Sequence, residues 1–147
     1  MSFRNLVPIV RYLLGFGFVL FGLNGFLHFL PQPPAPAAAM SFAGALFATG
    51  YMFPLIKSIE IAAGLLLLSN RWVPLALTLL APLLVNIVAF HLFLAPAGLA
   101  IPILFLAAEL YLAWSYRDAY VPMLRARVEP KAAPAKRVAP RTASAAA

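Results

Sequence analysis

Seven polar residues interrupt the long apolar runs of this sequence, and their side chains are the ones that could do chemistry. They are Asn24, His28, Lys57, Glu60, Asn86, His91 and Glu109. The amides, imidazoles and ammonium can donate hydrogen bonds, and the carboxylates can accept protons. Ionisable groups are costly at membrane depth and mark functional sites when they occur there. We therefore expect any site of this chain to be built from these residues.

The composition around these residues is typical of a membrane protein. Apolar types make up 64% of the 147 residues and charged types 10%, against roughly 45–50% and 25% in soluble domains. One small domain cannot bury so much apolar surface from water. The chain has no cysteine, which excludes disulfides, iron–sulfur clusters and covalently attached haem. Redox chemistry would need a non-covalent cofactor or a partner subunit.

Four apolar stretches can be interpreted as membrane-spanning helices, each of which needs roughly 20 residues. They cover residues 10–30, 54–69, 72–94 and 98–116. Between the first two, Pro36 and Gly50 favour the start and end of a short helix over residues 37–49, which we place on the outer surface. The predicted fold is all-α: an integral membrane four-helix bundle over residues 1–120, with this short outer-surface helix between the first and second spans.

The basic residues predict the orientation of the bundle. Arg4 and Arg11 precede the first span, Arg71 lies between the second and third, and seven further basic residues follow the fourth. The positive-inside rule then places both termini in the cytoplasm. Residues 121–147 are expected to form a basic, Pro/Ala-rich, disordered cytoplasmic tail. This tail would contact anionic lipid; it lacks the interleaved aromatics that favour nucleic acid, so we expect no nucleic-acid partner.

Two alternative topologies remain open. The first 39 residues have features of a signal peptide, although their apolar run is longer than the usual 7–15 residues. A fifth span through residues 40–53 would be uncharged but short. An odd number of spans would also place Arg71 or the basic tail outside.

Three of the predicted spans bring polar groups to similar depths. At about 1.5 Å per residue, His28, Lys57 and His91 lie roughly 3–5 Å from the outer end, Asn24, Glu60 and Asn86 roughly 9–12 Å, and Glu109 alone at roughly 16 Å. Asn24 and His28 share a helix face by spacing, and so do Lys57 and Glu60. Asn86 and His91 are five residues apart and cannot point at one centre, so we expect His91 to lie outside the cluster.

These residues also have purely structural interpretations. Lys57 and Glu60 can neutralise each other and so make insertion tolerable. Asn24 and Asn86 can form interhelical hydrogen bonds, each of which contributes about 0.6 kcal/mol.

Three runs of the sequence resemble the DoxX family of small four-helix bacterial membrane proteins. They are residues 22–31 (GLNGFLHFLP), 54–60 (PLIKSIE) and 85–91 (VNIVAFH). The resemblance covers residues 7–118 and implies a multi-pass protein of the plasma membrane that is linked to quinone oxidoreduction. Many members of the family have no defined activity.

The polar cluster and this resemblance together predict a quinone-associated subunit with a polar pocket in the outer leaflet. The predicted cofactor-binding residues are Asn24, His28, Lys57, Glu60, Asn86 and His91. Glu60 and Lys57 are the catalytic candidates, with Glu60 relaying protons. We expect no metal site.

Other functions remain open. The chain can serve as a non-catalytic scaffold or partner-binding subunit, with a redox protein or a second copy as partner. Further alternatives are haem b held by His28 and His91, and movement of a small solute or proton along Glu60 and Glu109.

Overall fold

Helices account for all the regular structure of the described chain. The computed structural model describes residues 3–31 and 34–127, and these form five α-helices and no strand. The helices are α1 (Phe3–Leu27), α2 (Ala37–Ala48), α3 (Met52–Leu68), α4 (Val73–Leu94) and α5 (Ala100–Ser115). Two short 3₁₀ turns follow α4 and α5, at Pro96–Gly98 and Arg117–Ala119. The all-α prediction is confirmed, while most of the predicted tail, residues 128–147, lies outside the described residues.

Four of the helices pack side by side in a ring. Helix α1 contacts α3 and α5, and α4 closes the ring between those two. Their buried side chains form one core, which includes Leu14, Phe18, Leu67, Leu77, Leu80, Leu84 and Leu112. We call the end of the ring that carries Arg71 and Arg117 the basic end. The opposite end, which carries α2 and the α4–α5 turn, is the α2 end.

Helix α1 differs from the predicted span at both of its ends. It begins at Phe3, so Arg11 lies inside the helix and not before a span. It ends at Leu27, four residues before Pro31, because His28 adopts a left-handed backbone with a φ of 51°. Such a φ is uncommon for residues other than glycine. The other predicted spans agree with α3, α4 and α5 to within two residues at each end.

Helix α2 lies across one end of the bundle, at 93° to α3. It stops before Gly50, whose φ of 73° allows its N–H to donate to the carbonyl of Phe47 at 3.0 Å. Two aromatic contacts fix it in place. Phe47 stacks on Phe53 of α3 with ring centres 3.9 Å apart, and Phe42 lies 5.7 Å from Phe90 of α4. The turn at Gly50 and these ring contacts explain the sharp bend.

Within the part of the chain that the structure describes, two helices are long and apolar enough to span a membrane. The qualifying segments are Leu6–Leu27 and Val73–Leu94, and only 28% of each 18-residue window is buried. A third span is possible if α2 and α3 count as one broken span, and α5 is a shorter apolar helix. The ring therefore presents mostly apolar side chains outward, a surface suited to lipid and not to water.

Glycines bring α1 and α3 into close contact. A Cβ atom at Gly64 would lie 2.8 Å from the carbonyl oxygen of Gly15, and one at Gly22 would lie 2.6 Å from the side chain of Ile61. Small residues allow helix backbones to approach closely in membranes. The α1–α3 contact therefore depends on these positions having no side chain.

Candidate functional site

A buried ion pair on α3 forms the centre of the candidate site. The ammonium of Lys57 lies 3.0 and 2.8 Å from the two carboxylate oxygens of Glu60. The side chain of Glu60 is only 2% exposed, while that of Lys57 is 18% exposed. The aliphatic stem of Lys57 packs on Gly25 of α1, where a Cβ atom would come within 2.6 Å of it. Gly25 thus provides the space that lets the lysine fold down onto its partner.

Aromatic rings from α2 and α3 lie beside the exposed side of this pair. The ammonium of Lys57 is 5.7 Å from the ring centre of Phe53, a distance at which a cation is attracted to the ring face. Phe53 in turn stacks on Phe47 of α2. Helix α2 is therefore joined to the ion pair through two rings.

Asn24 lies in the last turn of α1 and His28 directly after the helix, with the N–H of His28 still donating to the carbonyl of Asn24 at 2.9 Å. Asn24 is buried, and its Oδ1 accepts a hydrogen bond from the N–H of Leu30 at 2.7 Å. His28 follows the end of α1 in a left-handed conformation and is exposed. The chain leaves the helix at His28, so the two side chains have different surroundings. Asn24 holds the segment after the helix.

Asn86 and His91 point in different directions, as their spacing predicts. Asn86 is exposed, and its Nδ2 donates to the carbonyl of Pro82 at 3.4 Å. His91 is partly buried, its Nδ1–H donates to the carbonyl of Ile87 at 2.8 Å, and its ring packs against Gly98. Neither residue forms a hydrogen bond with the Lys57–Glu60 pair.

A cleft of about 240 Å³ lies between α2 and α4 near the α2 end. It is lined by Phe42, Asn86, Ala89, Phe90, Phe93 and Leu94. Of the six predicted cofactor-binding residues, only Asn86 lines it. The cleft is open, and three of its six lining residues are phenylalanines, with one amide. Such a lining suits a flat, apolar molecule that carries a hydrogen-bonding group.

Sequence reasoning missed the role of Arg11, which it assigned to the region before the first span. Arg11 is 4% exposed and donates to the main-chain carbonyl of Leu67, in the last turn of α3. A cation at a helix C-terminus satisfies carbonyls that have no helical donor. The signal was present in the spacing, because Arg11, Gly15, Gly22 and Gly25 all fall on one face of a helix.

Within residues 3–31 and 34–127, no group of three or more His, Cys, Asp or Glu side chains is placed to hold a metal ion. Comparison with known protein families, with curated proteins and with solved structures finds no match to the chain. The likeness to the DoxX family therefore stays a prediction that rests on the three sequence runs.

Proposed function

We propose that this chain is a DoxX-like protein of the bacterial plasma membrane in which α1, α3, α4 and α5 all cross the bilayer. The closed ring of the four helices supports this arrangement. Helices α3 and α5 have 17 and 16 residues, or about 24–26 Å at 1.5 Å per residue. That is short of the roughly 30 Å hydrocarbon core, and local thinning of the bilayer accommodates the difference at modest cost.

The same proposal places the basic end and both termini in the cytoplasm. Arg71 and Arg117 lie there by element order, and cytoplasmic connections carry an excess of such residues. The exposed side chains of Trp72 and Trp114 also lie at this end, where aromatic belts form. The α2 end would then face the outer leaflet.

We further propose that the protein is a quinone-associated subunit of a membrane oxidoreductase system. The observation that carries this proposal is the open cleft between α2 and α4, with its three phenylalanines and the Asn86 amide. At about 240 Å³ it is smaller than the roughly 300–1,000 Å³ of ordinary ligand pockets. It has room for one ring-sized headgroup, while the isoprenoid tail stays in the lipid beside the open side.

In this proposal the Asn86 amide donates a hydrogen bond to a quinone carbonyl. The Lys57–Glu60 pair relays protons toward the outer side of the membrane. Lys57 is the more exposed member of the pair, so its ammonium is the group that a bound molecule would contact. Electrons would come from a partner subunit or from a non-covalently bound cofactor, because the chain contains no cysteine that could carry a redox centre.

Quantifying the quinone that co-purifies in mild detergent tests the cleft. We expect Asn86→Leu and Phe93→Ala to lower the quinone-to-protein ratio severalfold, because the first removes the donor and the second one wall. Phe16→Ala is the matched control, since Phe16 is also an exposed phenylalanine but lies on α1, away from the cleft. Equal quinone in all four proteins would overturn the assignment of the cleft.

A scaffold or partner-binding subunit is the second candidate. It is favoured by α2, which is uncharged yet leaves Met40 61% and Phe47 50% exposed. Deletion of residues 37–48 would then release a co-purified partner protein. Stoichiometric quinone in a preparation with no partner would count against this function.

A further inference from the structure

Helix α2 contacts both parts of the candidate site. Phe42 is the residue that α2 contributes to the cleft, and its ring centre lies 5.7 Å from that of Phe90 on α4. Phe47, further along α2, stacks on Phe53 with ring centres 3.9 Å apart, and the Phe53 ring centre lies 5.7 Å from the ammonium of Lys57. One helix therefore forms a wall of the cleft and, through Phe53, lies beside the exposed member of the ion pair.

Helix α2 is held to the bundle by few buried groups. Ala39 is its one buried residue, whereas α4 buries five of its residues. The rings of Phe42 and Phe47 are still 44% and 50% exposed. No residue of α2 belongs to the core that joins α1, α3, α4 and α5. Segments with few buried apolar contacts open at a low free-energy cost, so α2 can leave the end of the bundle while the ring stays folded.

The junction between α2 and α3 has the features of a hinge. Gly50 has a φ of 73°, and no atom outside its chain neighbours lies within 4 Å of the place where a Cβ atom would stand. The hydroxyl of Thr49 donates to the carbonyl of Leu46 at 2.7 Å and accepts the N–H of Met52 at 3.1 Å. One exposed hydroxyl thus links the last turn of α2 to the first turn of α3. Hinges are a few residues at the ends of elements that absorb changes in φ and ψ.

Rotation about this hinge moves Phe42 and Phe47 together, because both belong to one helix. Outward rotation withdraws Phe42 from the cleft, which then widens. The same rotation separates the stacked rings of Phe47 and Phe53, so that Lys57 becomes more accessible. A molecule that packs against Phe42 in the cleft favours the closed position, because a ligand shifts an equilibrium toward the state that it binds better.

We propose that α2 is a hinged lid that opens and closes over the cleft and over Lys57 together, with its pivot at Thr49 and Gly50. The identity of the molecule that it encloses, a quinone headgroup, rests on the proposed function, whereas the movement itself does not. The structure shows the closed position, with the rings stacked and a cleft of about 240 Å³. Opening gives a ring-sized molecule a way into this cleft.

Distances between spin labels test the movement, because the chain has no cysteine of its own. One pair joins Gly44→Cys on α2 to Ala97→Cys in the α4–α5 turn, and both positions are exposed. We expect double electron–electron resonance in detergent to give two distances, closed and open. Phe47→Ala, which removes the stack on Phe53, should raise the ratio of open to closed severalfold. The pair Ser69→Cys and Ala97→Cys, which does not include α2, is the matched control and should give one distance in both backgrounds.

Acylation of Lys57 tests whether the lid also covers the ion pair. A water-soluble amine reagent should modify Lys57, as mapped by mass spectrometry, severalfold faster in Phe47→Ala than in wild type. Thr49→Val loses the hydroxyl that links the two helices and should raise the rate as well; it replaces Phe47→Ala if that variant does not fold. Phe16→Ala changes a similarly exposed ring on α1 and should leave the rate as in wild type.

A single 44–97 distance that is unchanged in wild type, Phe47→Ala and Thr49→Val overturns the proposal. So does an increased open fraction with no change in the acylation rate of Lys57. A benzoquinone with one isoprenoid unit, added as a probe, then separates the lid from the quinone function. If the probe raises the closed fraction, both are supported. If α2 moves but does not respond to the probe, the lid stands and the proposed quinone function of the cleft fails.

Discussion

Lys57 and Glu60 illustrate how a single pair of residues can carry charge into an apolar fold. They lie three residues apart on one helix, so they meet without help from the rest of the chain. Both carboxylate oxygens of Glu60 are taken up by the same ammonium group. Each side chain therefore neutralises the charge of the other. Lys57, whose side chain is partly exposed, is the accessible member of the pair.

Removing only one charge of the Lys57–Glu60 pair should destabilise the protein. Glu60→Gln leaves the Lys57 ammonium largely buried without its counter-charge, and we expect the free energy of unfolding to fall by about 3 kcal/mol. The double variant Lys57→Met, Glu60→Met removes both charges and should return to within about 1 kcal/mol of wild type. Thermal or denaturant-induced unfolding in mild detergent measures both changes.

The double variant also separates structure from function at this pair. If it is stable but has lost quinone-dependent turnover, the pair exchanges protons as proposed. If it is stable and retains turnover, the pair serves only to neutralise itself. A double variant as unstable as Glu60→Gln would contradict the self-neutralising interpretation, because a third group would then depend on one of the two charges.

At the scale of the helices, glycine residues, which have no side chain, determine how closely α1 packs against α3. Gly15 and Gly64 approach through their backbones, while Gly25 accommodates the stem of Lys57. Arg11 closes the same interface at the basic end by donating to α3. Close backbone approach hides the polar groups of this interface from lipid.

We therefore expect Gly64→Ala to lower stability by about 1–3 kcal/mol, because the new Cβ would meet the backbone oxygen of Gly15 and only a shift of the helices could relieve the overlap. Gly44→Ala is the control: Gly44 lies inside α2, and apart from its chain neighbours and its own helix backbone no atom lies within 4 Å of the point that the new methyl group would occupy. That substitution should raise stability by up to about 1 kcal/mol through helix propensity. Equal effects at the two sites, measured by unfolding in detergent, would refute the packing argument.

The whole molecule has two chemically different ends. Basic residues collect at one end, while the other carries the apolar helix α2 and the turn Pro96–Gly98. Such an asymmetry orients a membrane protein through its cytoplasmic Lys and Arg residues.

The absence of cysteine makes this orientation easy to measure. In intact cells, Ala97→Cys at the α2 end should react with a membrane-impermeant maleimide. Ser69→Cys at the basic end should react only after the membrane is opened. Both positions are exposed. The side of the membrane on which each cysteine lies, and not its burial, therefore decides whether the maleimide reaches it. Labelling of Ser69→Cys but not of Ala97→Cys in intact cells would reverse the proposed topology. Labelling of both variants in intact cells would exclude a four-span arrangement.

The sequence by itself determined the helices and the local pairings. Apolar runs and the Pro and Gly residues around them predicted α2 to α5 within two residues, because helix ends depend on nearby residues. The Lys57–Glu60 pair followed from a spacing of three on one helix. Only α1 was displaced: it begins at Phe3, before the predicted start, and ends at Leu27, where His28 turns left-handed and the Asn24 side chain accepts the N–H of Leu30.

Tertiary structure alone decided which residues share a site. Asn86 lines a cleft because α2 folds across the end of α4, and Arg11 is buried because α3 ends beside it. Tyr120 reaches Pro74, 46 positions earlier, because the chain turns back after α5. Periodicity reports the face on which a residue lies but not the helix that this face meets. That choice is made by the packing of the whole ring.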